Sequence, residues 1–404
     1  MPKNPPVISR IETFRHPDYA RLIFVRLHTS DGLTGVGETS FGPDAVETFI
    51  HSEIADYLLG KDPMQLDLHW QSMNRLGSMQ RSRGVEVRSQ SAVDMALWDL
   101  YGKRVKQPLY QLLGGLSRDR VKVYNTCAGY SYGITRAGHV SPGDVDFRPD
   151  GPYEDQHAFM TDAGALAESL LSEGFTAMKI WPFDQFVSKT DGQSISLEDL
   201  EAGTEPFRKI RNAVGDRMEM MVEMHCLFNL PTAIRIAKSV EPLRPFWFED
   251  PVPMDNIDAL VQFKNSTHIA TTASETVSTR WAFREMFEKR AMTICMFDIS
   301  WVGGISEAKR IASMAEAYHL PIAPHDCVGP VTLMNSVHLS LNAPNGMIQE
   351  VVRAYLATWY PKIATRLPKI ENGYVLPPEG EGVGMELTDA FTQGSDTTVQ
   401  VSEL

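Results

Sequence analysis

Three apolar runs in this chain each end in a glutamate. Met218–Val222 leads to Glu223, Pro245–Phe248 to Glu249 and Ile269–Ser274 to Glu275, at 26-residue intervals. That interval is about one strand plus a returning helix, and such βα units build parallel sheets with all strand ends on one side. Three carboxylates delivered to one side suit a hard divalent cation such as Mg²⁺, which prefers oxygen ligands and keeps positions for water or substrate. Any one of these glutamates also reads as a helix cap or a solvated loop residue. The repeated interval favours metal ligation.

Further ionisable residues fall at the ends of similar runs. Lys179 lies in Ala177-Met178-Lys179-Ile180-Trp181, Asp298 ends the run from Thr293, His325 stands in Ala323-Pro324-His325-Asp326, and Glu350 follows Gly346–Gln349. His225 comes two residues after Glu223, which on an extended backbone places both on one side. A buried Asp beside a His orients the imidazole and keeps it basic, the requirement for a general base. A lone core histidine is ordinarily a packing residue. Seven ionisable groups at the ends of seven of eight predicted strands, on one rim, read as an active site.

The elements that must carry these residues are also legible. Short β-prone runs at Val121–Asn125, Thr176–Ile180, Met218–Glu223, Pro245–Glu249, Ile269–Ala273, Thr293–Asp298, Pro321–His325 and Gly346–Glu350 alternate with helical sequence. Eight βα repeats predict an α/β fold, a (β/α)₈ barrel, rather than an open doubly wound sheet. Ahead of it, Val7–Ile11, Leu22–Thr29 and Leu33–Glu38 alternate as antiparallel strands, with Ser30-Asp31-Gly32 as a hairpin turn. Residues 44–113 are mostly helical, with a stripe of Ala92, Met95, Ala96 and Leu100. Asp94 and Asp99 on that helix read as structural. Loops 14–19 and 40–44 carry aromatic, His and Arg residues that either reach a site elsewhere or are merely solvated. Residues 128–157, rich in Gly, Pro, Ser and Asp, read as an insertion at the barrel mouth or a subunit-contact loop. No glycine-rich phosphate loop follows the first barrel strand, so no nucleotide cofactor is indicated.

The chain has 404 residues, 43% apolar and 22% charged, with a formal charge of −13. That length accommodates two domains, and the acidity disfavours nucleic acid or an anionic membrane as partner. An anionic substrate would need local cations to offset it. Cys127, Cys226, Cys295 and Cys327 show no paired spacing, the N-terminus has no apolar signal core, and no apolar run reaches membrane length. The expected setting is the cytoplasm.

Together these segments resemble the enolase superfamily, and within it the mandelate racemase subgroup. The resemblance rests on Thr29–Glu38, on Asp94–Lys103 with Leu112-Leu113-Gly114-Gly115, on Glu249-Asp250-Pro251, on the Asp298 and His325 pair and on Glu350. It implies a modified TIM barrel over residues 121–355, capped by an α+β domain from residues 1–120, to which a tail of residues 356–404 returns. It also implies that loops 14–19 and 40–44 contact substrate. Two positions depart from the family pattern. Glu223 stands where Asp is commoner, and Lys179-Ile180-Trp181 lacks the second lysine that serves racemases as a base. With His225 after the first metal position, the chain is similar instead to acid-sugar dehydratases of the galactonate and mannonate type.

The resemblance therefore implies Mg²⁺ held by Glu223, Glu249 and Glu275 and dehydration of an aldonate or aldarate to a 2-keto-3-deoxy acid through an enediolate. His325, oriented by Asp298, would take the C2 proton, and His225 would protonate the departing C3 hydroxyl, although the order of the two histidines is open. Lys179 would stabilise the substrate carboxylate and Glu350 would hydrogen-bond an oxygen. The alternatives are a racemase or epimerase of a 2-hydroxy acid and a catalytically silent relative. Arg15-His16 and Arg81-Ser82-Arg83 are candidates for selecting the sugar. By analogy the chain is expected to form a homo-oligomer.

Overall fold

The computed structural model describes residues 5–76, 83–130, 132 and 153–404. Near the N-terminus, strands β1 (Ile8–Arg15), β2 (Leu22–Thr29) and β3 (Thr34–Ser40) form an antiparallel meander. The last strand of the chain, Thr398–Glu403, pairs antiparallel with β1, so both ends of the sequence meet in one four-stranded sheet.

This sheet packs on the helix Val85–Val105 with unusual closeness at two glycines. A Cβ on Gly35 would stand 2.2 Å from the carbonyl oxygen of Ala96, and one on Gly37 only 1.9 Å from that of Ala92. Strand backbone therefore lies directly on helix backbone, which explains both the Gly-Val-Gly sequence and the small residues of the helical stripe. Gly37→Ala is expected to force the two elements apart and destabilise the fold by about 1–3 kcal/mol. Thermal unfolding checks this, and an unchanged melting temperature would show that the contact yields easily.

Asp94 and Asp99 are buried on the same helix and bonded as structural residues. Asp94 accepts from the Ser306 N–H at 2.9 Å and from its hydroxyl at 2.7 Å, tying the helix to the barrel. Asp99 accepts from the N–H groups of Val36 and Val383 at 3.0 and 2.9 Å and pairs with Lys103 at 2.7 Å.

The barrel follows. Strands β4 (Val121–Thr126), β5 (Ala177–Ile180), β6 (Glu219–Glu223), β7 (Trp247–Glu249), β8 (Ala270–Ala273) and β9 (Ile294–Cys295) run parallel in that order. The seventh staff of the ring, residues 322–325, is bridged from Ile322 to Cys295 and Gly346 and from His325 to Asp298, with backbone hydrogen bonds to both neighbours, among them Ala323 N–H to the Cys295 carbonyl at 3.0 Å and Met347 N–H to the Ile322 carbonyl at 3.0 Å. Strand β10 (Ile348–Val351) then pairs with β4 and closes the circle. A short hairpin at Ile370–Val375 adds antiparallel to β4 before the chain turns back to the N-terminal sheet. Among the described residues no helix is long and apolar enough to cross a membrane.

Strand periodicity places the chemistry. Half-way up the barrel, Tyr124, Ala177, Met221, Trp247, Met296, Ala323 and Ile348 form a buried cluster of inward side chains. Side chains two residues apart share a face. The next inward layer is therefore Thr126, Lys179, Glu223, Glu249, Asp298, His325 and Glu350. An apolar plug underlies a layer made almost wholly of ionisable groups.

Candidate active site

Above that layer lies a cavity of about 150 Å³, enclosed between the barrel and the N-terminal sheet. Its barrel side is lined by Thr126, Lys179, His225, Glu275, His325 and Glu350, and its roof by Arg21, Leu22, Ser40 and Phe41. Glu223, Glu249 and Glu275 each offer one carboxylate oxygen, and these three oxygens lie within 4.8 Å of one another. Lys179 ties this group to the rest of the floor, with Nζ at 2.5 Å from Glu249, 3.0 Å from Glu350 and 3.3 Å from Glu223. Glu350 also accepts from the Thr126 hydroxyl and from the Asp326 N–H at 2.7 Å.

The two histidines stand on opposite sides of the ring, since His225 follows the third strand and His325 ends the seventh of eight. Each is backed by a carboxylate. His325 Nδ1 is 2.7 Å from Asp298 Oδ2, and Asp298 Oδ1 is fixed by the N–H and hydroxyl of Ser300 at 2.7 and 2.6 Å. His325 Nε2 faces Glu275 at 2.9 Å, and the Trp301 ring lies against the imidazole at 5.3 Å. His225 Nδ1 is 2.6 Å from Asp184 Oδ2, with the Trp181 ring edge-on at 5.6 Å.

The path to His225 differs from the expected one. Its backbone is not extended: His225 and Cys226 have φ of 47° and 60°, so the chain turns left-handed as it leaves β6. That turn, held by the His225 N–H on Glu223 Oε1 at 2.7 Å, aims the ring into the cavity. Such strained non-glycine positions are typical of sites where geometry has a use. Loop 14–19 also differs, because His16 packs on Tyr19 and Phe391 and the cavity takes Arg21 and Leu22 instead. Arg15 is engaged by Asp44 and by Glu47 at 3.4 Å. Loop 40–44 does supply Ser40 and Phe41. Arg81, Ser82 and most of the 128–157 insertion lie outside the described residues, while Tyr132 lines the cavity.

Asp184 went unnoticed in the sequence. It lies in the turn after β5, where its only mark is to be the first carboxylate downstream of Lys179.

The charge balance of this layer calls for a cation. Burial, and then the Glu223 carboxylate, push Glu249 well above the usual carboxylate range, and the same two influences act on Asp250. Against burial, the Glu249 and Glu350 carboxylates hold Lys179 firmly protonated. Likewise Glu223 and Asp184 raise His225 to about 9 despite its burial, and Glu275 and Glu350 raise His325 well above the usual imidazole range. Burial pushes Glu275 up, but His325 holds it down at about 2. Glu223 Oε2 is buried without a hydrogen-bond partner. An excess of buried carboxylates over the one Lys179 ammonium among them, with one carboxylate oxygen making no hydrogen bond, fits a hard divalent cation.

A capped (β/α)₈ barrel with an acidic, cation-accepting mouth is thus the class that fold and site define. Residues 162–391 match the Enolase C-terminal domain-like family and residues 2–114 the N-terminal domain of the Mandelate racemase / muconate lactonizing enzyme family. A D-galactonate dehydratase of Ralstonia pickettii is 30% identical over 95% of this chain and 93% of its own length. Among solved structures, a mandelate racemase subgroup enolase from Agrobacterium tumefaciens superposes with a TM-score of 0.86 at 44% identity, covering 98% of this chain and 99% of that one. An enolase protein from Sargasso Sea environmental sequencing gives 0.87 at 40% identity, with 99% of both chains covered. The chain belongs to the mandelate racemase subgroup of the enolase superfamily.

Proposed function

We propose that this protein dehydrates an acid sugar to a 2-keto-3-deoxy acid, with Mg²⁺ held by Glu223, Glu249 and Glu275. The observation that carries the reading is the pair of histidines, each backed by a buried carboxylate, facing one cavity from the third and seventh positions of an eight-membered ring. Elimination needs a base for one carbon and an acid for its neighbour, and two such groups across a cavity supply both. The named dehydratase relatives support the same class of reaction.

Mg²⁺, used generally in this superfamily, would act at the three glutamates as a Lewis acid that draws charge from the substrate carboxylate. With Glu275 engaged by the cation instead of by Nε2, His325 would lose the partner that keeps it protonated and could take the C2 proton on Nε2, while Nδ1 donates to Asp298 and fixes the ring. Breaking the C2–H bond first leaves its electron pair on C2 and the adjoining carboxylate, and that pair then forms the C2–C3 double bond as the C3–O bond breaks. His225, whose Nδ1 is held by Asp184, protonates the leaving hydroxyl from Nε2, so that water departs. The resulting enol tautomerises to a ketone at C2 and gains a proton at C3. Lys179 Nζ donates to a substrate carboxylate oxygen, and Glu350 accepts from a substrate hydroxyl.

Trp181 and the bonding of Lys179 weigh against racemisation. The side chain two residues beyond Lys179 is an indole, and Lys179 itself is locked among three carboxylates, which keep its proton in place. Incubation of acid sugars with Mg²⁺ is expected to yield semicarbazide-reactive 2-keto-3-deoxy acid. Inversion at C2 with no keto acid formed would overturn the proposal in favour of a racemase.

A further inference from the structure

The cationic side chains that line the cavity are not alike in their bonding. Lys179 is paired with Glu249, Glu350 and Glu223, His225 with Asp184, and His325 with Asp298 and Glu275. Arg21, on the roof, has no carboxylate partner among the described residues. Its guanidinium lies over the Phe41 ring, at 5.4 Å from the centroid.

Local structure holds Arg21 in place. Leu22 pairs with Ser40 at the open end of the β2–β3 ladder, and the Phe41 N–H donates to the Arg21 carbonyl at 2.9 Å, so Arg21 and Phe41 face each other just beyond it. Phe41 adopts φ 65°, uncommon for an aromatic residue, and is edge-on to Trp301 at 5.3 Å. A second guanidinium, that of Arg88, stacks on Trp301 at 4.8 Å and on Phe41 at 5.6 Å and donates to the Ser40 carbonyl at 3.2 Å. Arg88 serves the wall and does not line the cavity, which leaves Arg21 as the cation facing inward from the roof.

We propose that Arg21 binds a second carboxylate, at the end of the substrate remote from the metal-site glutamates, so that the substrate is a short dicarboxylate acid sugar, an aldarate, rather than an aldonate. This inference rests on the dehydration reading and narrows its substrate. A guanidinium is a planar, permanently charged donor that matches a carboxylate with two parallel hydrogen bonds, whereas a terminal hydroxymethyl group leaves its charge unanswered. The chain's net charge of −13 adds a reason for a dedicated cation, since a dianion enters against the overall field.

The test compares stereochemically matched aldarates and aldonates with Mg²⁺, for the wild type and for Arg21→Gln and Arg21→Lys. The wild type is expected to favour the diacid in kcat/KM by at least about 100-fold. Arg21→Gln is expected to erase most of that ratio, chiefly through a raised KM for the diacid, and Arg21→Lys to restore part of it. A merely structural role would lower both substrates together and leave the ratio unmoved, which would overturn the inference. Preference for an aldonate or for a phosphorylated aldonate would overturn it as well. Calorimetric titration with an unreactive hydroxy-dicarboxylate and its monocarboxylate analogue gives an answer independent of turnover. If no acid sugar is dehydrated, the dehydration reading falls, and a diacid preference in binding that disappears in Arg21→Gln still sustains the role of Arg21.

Discussion

Glu223→Gln is expected to abolish Mg²⁺-dependent turnover and, in the presence of a chelator, to raise the melting temperature. The two effects have one cause. Glu223 Oε1 accepts the N–H groups of Met224 and His225 at 2.9 and 2.7 Å, so a glutamine carbonyl can keep both bonds. Its other oxygen makes no hydrogen bond and lies 3.3 Å from the Lys179 ammonium, and its charge contributes to pushing Glu249 up. An NH₂ group turned toward Glu249 would donate to that carboxylate instead of repelling it, a gain of about 1 kcal/mol in the metal-free protein that outweighs the loss of the longest of the three Lys179 ion pairs. Active sites commonly hold such strain because the ligand relieves it. Losing one of three anionic ligands removes the charge that holds the cation, and a loss of about 4 kcal/mol in barrier lowering lowers the rate by about three orders of magnitude. Wild-type protein at a hundredfold excess of Mg²⁺ over its dissociation constant should gain about 2.7 kcal/mol of stability, and the variant little or none. Thermal unfolding with and without MgCl₂ separates the cases. A variant that keeps the wild-type Mg²⁺ shift would show that the cation is not held at Glu223.

What the sequence revealed, and what it concealed, follows the period of the strands. An apolar residue two positions before each of Lys179, Glu223, Glu249, Asp298, His325 and Glu350 is one of the inward-facing residues of the barrel plug, so periodicity and position together marked the site. The seventh staff is recognisable as an apolar run although it forms no continuous regular strand. Where the chain leaves a strand, that rule ceases to operate. His225 reaches the cavity through a left-handed turn, and Asp184 reaches His225 from the turn after β5, beside the buried Phe183 and Trp181. Arg21 is decided by a contact between remote parts of the chain, for the N-terminal sheet meets the barrel through Thr39, whose hydroxyl donates to the Ser300 carbonyl at 2.7 Å. The function of Gly35 and Gly37 was similarly hidden, because their role depends on the carbonyls of a helix some sixty residues away. Local pattern thus located the inward-facing groups, while tertiary packing selected their partners.

His325→Asn and His225→Asn should fail in different ways, and that difference tests the division of labour between the two histidines. Asp298 is anchored on both oxygens, by Ser300 and by His325 Nδ1, so the imidazole presents Nε2 to the cavity with its orientation fixed. Asparagine can occupy the space but cannot take a proton, and loss of a positioned base costs about 10²–10⁴-fold. In D₂O, His325→Asn is expected to lose exchange of the substrate C2 hydrogen and keto-acid formation together. His225→Asn leaves the His325 and Asp298 pair intact, so it should still exchange C2 hydrogen while forming keto acid at least about 10²-fold more slowly, since only the departure of the C3 hydroxyl lacks its acid. Proton NMR of recovered substrate and semicarbazide assay of product measure the two steps separately. Exchange that survives in His325→Asn and vanishes in His225→Asn would reverse the roles, placing the base beside Asp184 and the acid beside Asp298. Exchange at the wild-type rate in both variants would mean that neither imidazole touches the C2 proton, and the search for the base would move to Lys179.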